Sequence, residues 1–399
     1  MLQESLRAWS DARAYQGRAL KDKPITFYAD NAASYDHYER VIYGLTIAYN
    51  RRVCYLTSDA DDPLLDTPYP NLQVYYIGRG KICENVFAKM CTGVLVTTKP
   101  GLETRDLTRS KSHPVHYVYM FHSLLSTHMA YREDDFDHYD TILCAGPHQM
   151  AELKIGAQLR DRKPPRLIEH GYGKIDAMLE RRRATQDPVP GRQHHVLIAT
   201  GAGPNGLLEL HGAEIVRQLL KSGFRVTVRP HPSVLRTSPQ TLKALHREFD
   251  SAPHFAVYPD PRGFLTLVNA DVLISDGSAI AFDFALGMEK PVLTFDMPRR
   301  VSNPNCTRYP RHPIESALRE RIGIVMPPAR MRDLPDRVAQ LCSTAPRYRE
   351  ALAQLRTELM FNPGISGSVG ATAIESLSIG VDPERALSEA LEQLRANAL

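Results

Sequence analysis

Two short polar segments in the second half of the chain contain residue types that bind phosphate. Arg229-Pro230-His231-Pro232 follows the apolar run 226–228, and Ser275-Asp276-Gly277-Ser278 follows the apolar run 272–274. Arginine presents a planar fork of donors to phosphate oxygens, and a hydroxyl beside the free N–H groups of a helix start adds to such a site. We predict that Arg229, His231 and Ser278 hold the diphosphate of a nucleotide, with His231 a catalytic residue. A capping or core role for His231 is the alternative.

Two carboxylates and a glycine-rich turn belong to the same predicted site. Asp276 and Asp283 flank the start of the helix that is predicted after the apolar run 272–274. Asp283 could instead bond to the backbone of that helix. The turn 200–206 follows an apolar run and opens the second half of the chain. Glycine lets a backbone approach a ligand closely, although turns need glycine in any case. The predicted substrate-binding residues of the turn 200–206 are Gly201, Gly203 and Asn205.

A histidine in the first half is the predicted general base. His122 comes just after the apolar run 116–120, at the predicted carboxyl end of a strand. An imidazole near its ordinary pKa can take a proton from a hydroxyl. His128, followed by Arg132, is the runner-up and could instead line an acceptor site. A structural role for His122 also stays open, since other histidines lie nearby at His113, His116 and His138.

No metal and no other cofactor is expected. The acidic stretch 57–62 contains Asp59-Ala60-Asp61, which is similar to a metal-binding Asp-x-Asp pair. A loop capped by Asx side chains explains it equally well. The basic residues around the proposed diphosphate could supply the charge that a metal would bring.

The elements that position these residues alternate between short β-rich runs and helical stretches. This alternation is typical of parallel, doubly wound sheets. We predict an α/β fold of the GT-B-like class, with two Rossmann-like domains facing a central cleft and a helical C-terminus. The domains are expected at 1–185, on the acceptor side, and 186–370, on the nucleotide-donor side, with a C-terminal helix at 371–399. The predicted strands cover 25–28, 52–57, 74–77, 93–97, 116–120 and 141–144, then 195–200, 226–228, 255–258, 272–274 and 292–295.

Composition and charge narrow the class of protein. The chain has 399 residues and a net charge of +4, which is too mild to indicate nucleic acid but compatible with an anionic substrate. It has no run near the roughly 20 apolar residues of a membrane span and no signal-peptide pattern at its start. We therefore expect a cytoplasmic protein, with possible contact at the inner face of the membrane. Its six cysteines lack paired spacing and are expected to be free thiols.

The N-terminal segment is predicted to form one helix over 1–22. Leu2, Leu6, Trp9 and Ala12 lie near one stripe of this helix. The stripe is short, and Glu4 and Asp11 dilute any basic face. We therefore expect it to pack on the core rather than rest on a membrane.

From about residue 25 to Gly367 the chain resembles the CDP-glycerol glycerophosphotransferase family, which includes teichoic acid primases and polymerases. The matching segments are His231-Pro232, then Asp276-Gly277-Ser278-Ala279 with Phe282-Asp283 and Lys290-Pro291, then Gly171-Tyr172-Gly173-Lys174-Ile175-Asp176, and Phe121-His122-Ser123. Three positions depart from the family pattern. Gly277 replaces an aromatic residue, Ala279 replaces a second serine, and Gly173 replaces a proline.

The resemblance implies a phosphotransferase. It would move glycerol phosphate, or a similar polyol phosphate, from a CDP-activated donor to a hydroxyl of a lipid-linked or cell-surface glycan, and CMP would leave. Two other classes stay open. One is a GT-B glycosyltransferase or epimerase that uses a nucleotide sugar, for capsule or O-antigen synthesis. The other is a non-catalytic nucleotide-binding module of an assembly complex.

Overall fold

The structure is a computed structural model that describes residues 2–185, 191–201, 206–231, 233–258, 264–298 and 301–396. The chain forms two compact units. The first comprises Met1–Asp176, Ser302–Tyr309 and Met360–Leu399, and the second comprises Ala177–Val301 and Pro310–Leu359.

The first unit contains, within the described residues, a seven-stranded parallel sheet in the order β3-β2-β1-β4-β5-β6-β7. Its strands are rich in β-branched and aromatic residues, and the inner ones are buried on both faces, as parallel strands require. The chain winds outward in one direction from β1 and in the other from β4, so the strand order reverses between them. The strands are β1 (Ile25–Ala29), β2 (Val53–Thr57), β3 (Leu72–Tyr76), β4 (Val94–Thr97), β5 (His116–Met120), β6 (Thr141–Cys144) and β7 (Arg166–Glu169).

Helices cover this sheet and supply the other half of its core. Tyr38, Val41 and Ile42 of the second helix pack against Phe27 and Val96 of the strands. The first six helices, of which the last runs from the first unit into the second, are α1 (Leu2–Gln16), α2 (Tyr35–Tyr43), α3 (Lys81–Ala88), α4 (Thr127–Ala130), α5 (Pro147–Leu159) and α6 (Gly173–Arg183).

The buried face of α1 differs from the predicted stripe. Ala8, Ala12 and Tyr15 are buried, whereas Leu6 and Trp9 are 60% and 56% exposed. The reason is that the small alanines allow close approach of the helix, and the hydroxyl of Tyr15 finds a partner in Thr26 at 3.1 Å. The helix therefore packs on the core as expected, with Ala12 of the predicted stripe buried, but the expectation is wrong for Leu6 and Trp9.

The second unit contains, among its described residues, a six-stranded parallel sheet in the order β10-β9-β8-β11-β12-β13. Here the order reverses between β8 and β11. The strands are β8 (His195–Ala199), β9 (Arg225–Arg229), β10 (Phe255–Val257), β11 (Val272–Ser275), β12 (Val292–Phe295) and β13 (Gly323–Met326).

The core of the second unit lies between this sheet and amphipathic helices. Leu207, Ile215 and Leu219 of α7 pack against Val196 and Val226 of the strands. The helices are α7 (Leu207–Lys221), α8 (Val234–Thr237), α9 (Pro239–Phe249), α10 (Phe264–Asn269), α11 (Ala279–Met288), α12 (Ile314–Ala317) and α13 (Leu334–Leu359).

The C-terminal helices α14 (Ser366–Ser378) and α15 (Pro383–Ala396) belong to the first unit. Val369, Ala371 and Ile374 of α14 are part of the core that α2 and the first sheet build. The units therefore differ from the predicted domain ranges in three respects, one of which is that Ser302–Tyr309, predicted within the second domain, belongs to the first unit. The first unit ends at Asp176 rather than at 185, and Met360–Leu399 fold with it because their apolar residues fill its core.

No helix of the described residues is long and apolar enough to cross a membrane. Cys54 and Cys144 are buried free thiols, and the other four cysteines are free and partly buried.

Candidate functional site

The polar segments of the second unit meet at the carboxyl edge of its sheet. Arg229 ends β9, Gly201 follows β8, and Asp276 follows β11. The register pairs Ala199 with Arg229 and aligns β8 with β11, so these three strand ends lie side by side. The reversal of strand order falls between β8 and β11, and open α/β sheets bind ligands at such a point.

The ring of His231 has one nitrogen committed to the backbone. The N–H of Ser233 donates to His231 Nδ1 at 3.2 Å, and the Ser233 hydroxyl lies 2.8 Å from the same atom. A ring nitrogen that accepts an N–H bond carries no proton, so in the neutral ring the proton sits on Nε2. The His231 side chain is exposed, and it therefore presents Nε2 as a hydrogen-bond donor.

Ser278 is the N-cap residue of α11, with φ −69° and ψ 165°. Its hydroxyl lies 3.1 Å from that of Ser275 and makes no capping bond to the helix. The N–H of Ala281 bonds back to the Ser278 carbonyl at 2.9 Å. The partial positive charge of a helix N-terminus makes this end of α11 attractive to an anion. Asp283 lies one turn further on and is only 3% exposed. Burial places Asp283 inside the helix packing, away from the surface that Ser278 presents.

Asp276 links two of the predicted segments. Its Oδ1 accepts the N–H of Gly201 at 3.0 Å, which ties the end of β8 to the loop after β11. This bond brings Gly201 and Asp276 together, as the pattern predicts. Gly203 and Asn205, together with Pro232, lie outside the described residues.

In the first unit, His122 sits in a cluster of rings just beyond β5. Its Nδ1 lies 3.3 Å from the hydroxyl of Tyr119, and the hydroxyl of Tyr172 donates to its carbonyl oxygen at 2.8 Å. The ring of Tyr131 meets it edge-on at 6.0 Å between centroids. These contacts fix both the backbone and the ring of His122.

A second imidazole, that of His37 on α2, belongs to this cluster. Its ring centroid lies 5.8 Å from that of His122, and it stacks on Tyr172 at 5.7 Å. Burial, followed by the positive charges of Lys174 and His122, holds the pKa of His37 well below its usual range. Sequence reasoning missed His37 because it lies inside a helical stretch, and only the order of the strands brings that helix near β5.

The side chains of His128 and Arg132 lie in different surroundings. His128 is 3% exposed, stacks on Tyr309 at 5.0 Å and lies 3.3 Å from Glu152. Burial alone would raise the pKa of Glu152, but the bond and charge of His128 outweigh it and lower that pKa. Arg132 is exposed and lines an open crevice of about 690 Å³ together with the buried Asn303. His128 is thus packed between Tyr309 and Glu152, while Arg132 faces open space.

The acidic loop after β2 is held by local bonds. Asp59 accepts the N–H groups of Ala32 and Asp61 at 2.9 and 3.1 Å, and Asp62 accepts that of Leu64 at 3.1 Å. These are the Asx-type caps that offered the alternative to a metal site.

Comparisons with known proteins agree with this architecture. No protein-family profile and no curated protein sequence matches the chain. The wall teichoic acid polymerase TagF superposes with a TM-score of 0.58 at 13% identity, covering 94% of this chain and 95% of the polymerase. The MnaA–UDP structure from S. aureus gives 0.57 at 11% identity, covering 88% and 95%. The UDP-GlcNAc 2-epimerase from Neisseria meningitidis, bound to UDP-GlcNAc, gives 0.52 at 11% identity, covering 89% and 99%.

These similarities establish the fold. The chain has the GT-B-like class of fold predicted from its sequence, with two Rossmann-like α/β units and a helical C-terminal region. The predicted resemblance to the teichoic acid polymerases is confirmed at the level of fold.

Proposed function

We propose that this chain transfers a polyol phosphate, such as glycerol phosphate, from a CDP-activated donor to a hydroxyl of a lipid-linked or cell-surface glycan. The observation that carries the proposal is the convergence of Arg229, His231 and the N-terminus of α11 at the strand-order reversal of the second sheet. A cation, a ring N–H donor and the N-terminus of a helix together suit a diphosphate. An acceptor of this kind would place the enzyme at the inner face of the membrane.

The proposed reaction is a phosphoryl-type displacement. His122 takes the proton of the acceptor hydroxyl, and that oxygen forms a bond to the phosphorus bearing the polyol. The bond between this phosphorus and the bridging oxygen breaks, and CMP leaves with the electron pair. Arg229, His231 and Ser278 hold the diphosphate and stabilise its growing charge, because such reactions depend mainly on positioning and electrostatics. Arg132, with its crevice, is proposed to contact the acceptor.

A second candidate is chemistry on a nucleotide sugar. It is favoured by the comparable TM-scores of the polymerase and the UDP-bound structures, 0.58 against 0.57 and 0.52. The two candidates share the diphosphate site and differ in the bond that breaks. A phosphodiester product with released CMP indicates the first, whereas a glycosidic product or an epimerised sugar indicates the second.

The first experiment compares donors. A thermal-shift screen with CDP-glycerol, CDP-ribitol, CMP-sugars and UDP-sugars should show the largest rise in melting temperature with a CDP-polyol, because a ligand that binds the native state stabilises it. Incubation with that donor and a glycan acceptor should then release CMP and form a phosphodiester detectable by ³¹P NMR. A stabilising UDP-sugar with no response to CDP-polyols would refute the proposal.

The second experiment tests the residues. Arg229 and Arg225 stand at opposite ends of β9, so Arg225→Ala is a matched control for Arg229→Ala. Loss of a charge-assisted bond to phosphate costs about 1.5–3 kcal/mol, so R229A should weaken donor binding roughly 10- to 100-fold. R225A should bind normally. Equal affinities for the two variants, measured by calorimetry, would exclude the carboxyl edge as the donor site.

A further inference from the structure

The crevice of about 690 Å³ that Arg132 lines is built by the first unit. Its walls come from three segments, 132–137 after α4, 160–162 after α5 and 302–305. A volume of this size falls within the range of pockets that hold small ligands. The chemistry of the lining therefore indicates what kind of ligand fits.

The formal charges of the lining cancel among the described residues. Three arginines face three carboxylates, those of Arg132, Arg160 and Arg162 against those of Glu133, Asp134 and Asp137. Two of the arginines are already paired, because Asp137 accepts Arg160 at 2.6 and 2.8 Å and Arg162 at 2.7 Å. A phosphate would be attracted by Arg132 but repelled by Glu133 and Asp134. The lining therefore favours a neutral ligand over an anion.

The exposed groups of the crevice include both donors and acceptors. Arg132 and Asp134 are exposed, and so are Ser302 and the amide of Asn305. A guanidinium only donates, a carboxylate only accepts, and a hydroxyl or an amide does both. The exposed Pro304 adds an apolar ring that can pack against C–H groups. Sugars present the matching combination of hydroxyl and C–H groups.

Two buried polar atoms of the lining have no hydrogen bond among the described residues. The Asn305 N–H donates to Asn303 Oδ1 at 2.9 Å, which identifies the other amide atom of Asn303 as the nitrogen, and this nitrogen is unpaired. The Asn305 amide donates to Glu133 Oε2 at 2.9 Å, while Oε1 is unpaired. An unpaired buried donor and acceptor are unfavourable. A ligand with several hydroxyl groups that displaces the exposed Asn305 side chain supplies partners for both.

We propose that this crevice binds the neutral sugar residues of the acceptor glycan. Arg132 and Asp134 are specificity-determining residues, because one donates to the sugar hydroxyls and the other accepts from them. Carbohydrate binding follows from the lining alone. The assignment of this sugar to the acceptor rests on the proposed function.

Saturation-transfer difference NMR of the full chain measures sugar binding without any transfer assay. The probes are the neutral disaccharides chitobiose, maltose and lactose. At least one should bind the wild type, and Arg132→Ala and Asp134→Asn should each weaken it about tenfold through loss of a charge-assisted hydrogen bond. Both positions are exposed, so the variants should fold normally. No disaccharide binding, or binding that neither variant changes, overturns the inference.

Glycerol 3-phosphate, as an anionic probe, tests the charge balance. Asp134→Asn removes one negative charge from a neutral lining. D134N should therefore bind glycerol 3-phosphate more tightly than the wild type, while it binds the disaccharide more weakly. Arg132-dependent binding of glycerol 3-phosphate to the wild type that is tighter than that of every disaccharide would identify an anion site and overturn the inference.

Asp66→Asn is the matched control. The Asp66 side chain is 85% exposed in the same unit, and it faces Arg7 at 3.7 Å rather than the crevice. D66N should bind every probe like the wild type.

A transfer assay tests the assignment to the acceptor. D134N should raise KM for the glycan acceptor about tenfold and leave KM for the CDP-activated donor unchanged. Disaccharide binding with an unchanged acceptor KM would retain the carbohydrate site and refute its role in acceptor binding. Absence of transfer from every donor would refute the proposed function, while the NMR titrations would still decide whether the crevice binds sugar.

Discussion

At the scale of single residues, the two candidate histidines differ in the partner of Nδ1. His231 accepts the Ser233 N–H at Nδ1, so the proton of its neutral ring lies on Nε2, whereas His122 Nδ1 lies 3.3 Å from the hydroxyl of Tyr119. The backbone partner of His231 therefore decides which of its ring nitrogens can donate a hydrogen bond.

The pattern at His231 predicts a difference between two amide substitutions. The amide nitrogen of glutamine reaches the position of histidine Nε2, whereas that of asparagine reaches the position of Nδ1. If Nε2 donates to the diphosphate, His231→Gln should retain most of the affinity for CMP or a CDP-polyol, and His231→Asn should lose about tenfold. Titration calorimetry measures both. Tighter binding by the asparagine variant would place the functional nitrogen at Nδ1.

A buried histidine outside the site makes stability depend on pH. His170 is 2% exposed, and burial lowers its pKa from 6.5 to about 4. Between these pH values the unfolded chain binds a proton that the folded chain does not. The free energy of unfolding should therefore fall as pH drops from 6.5 toward 4, by roughly 3 kcal/mol from this group.

Denaturant unfolding of the full chain between pH 7 and pH 5 measures this dependence. His170→Gln should flatten the slope of unfolding free energy against pH by close to one proton. His113→Gln, at an exposed position, should leave the slope unchanged. Identical slopes in the wild type and H170Q would show that His170 is protonated in the folded state.

At the scale of elements, the sequence predicts the strands that are buried and misses two at sheet edges. The inner strands are short apolar runs, and their predicted limits lie within a residue or two of the observed ones. The missed strands, β7 (Arg166–Glu169) and β13 (Gly323–Met326), each stand at the end of a sheet. Arg166 and Glu169 are exposed, so β7 has no apolar run to reveal it. The opposite edge strands, β3 and β10, contain aromatic and β-branched residues and are predicted, so an edge position does not by itself hide a strand.

The candidate site was predictable to a similar degree. Polar residues that follow buried strands identify the carboxyl edge, which is how Arg229, His231, Ser278 and His122 could be found. His37 could not be found in this way, because its helix reaches the cluster through the strand order rather than through its neighbours in sequence. His128 has the right type and position, but its pairing with Glu152 depends on the packing of α5.

The turn before α11 needs a residue that adopts positive φ. Gly277 has φ +83°, with open space where a side chain would begin. An alanine there would cost about 1–2 kcal/mol in backbone strain. Gly223 has φ +81° and equally open space, in the turn before β9 at the opposite edge of the sheet. It therefore serves as a control of equal strain.

We expect Gly277→Ala and Gly223→Ala to lower the free energy of unfolding by similar amounts in denaturant titrations. Only G277A should also weaken donor binding, because it displaces Asp276 and Ser278 from the carboxyl edge. Equal donor affinity in the two variants would show that the turn at Gly277 is not part of the donor-binding site.

At the scale of the whole molecule, the chain completes its first unit only at its end. Two hydrogen bonds hold the segment after Met360 to Asp176, the last residue of the first stretch of that unit. The Asp176 carboxylate accepts the N–H groups of Gly364 at 2.7 Å and Ser366 at 2.9 Å. Residues 171–176 are one of the segments that carry the resemblance to the glycerophosphotransferase family. The structure shows that this element anchors the C-terminal helices. The burial of α14 is not predictable from its sequence. The helix is rich in alanine, glycine and serine, which give no clear hydrophobic periodicity.

Removal of residues 360–399 should therefore unfold the first unit and spare the second. The deletion takes Val369, Ile374 and Leu387 out of the first core and leaves its α2 face uncovered, while the core residues of the second unit all precede residue 360. Hydrogen exchange followed by mass spectrometry should show β1–β5 peptides exchanging fast and β8–β12 peptides staying protected. A chain ending at Gly380 keeps α14 and its anchor to Asp176, so it should retain protection in both units with a lower stability of the first. Protected β1–β5 peptides in the 1–359 chain would mean that the first unit folds without its C-terminal helices.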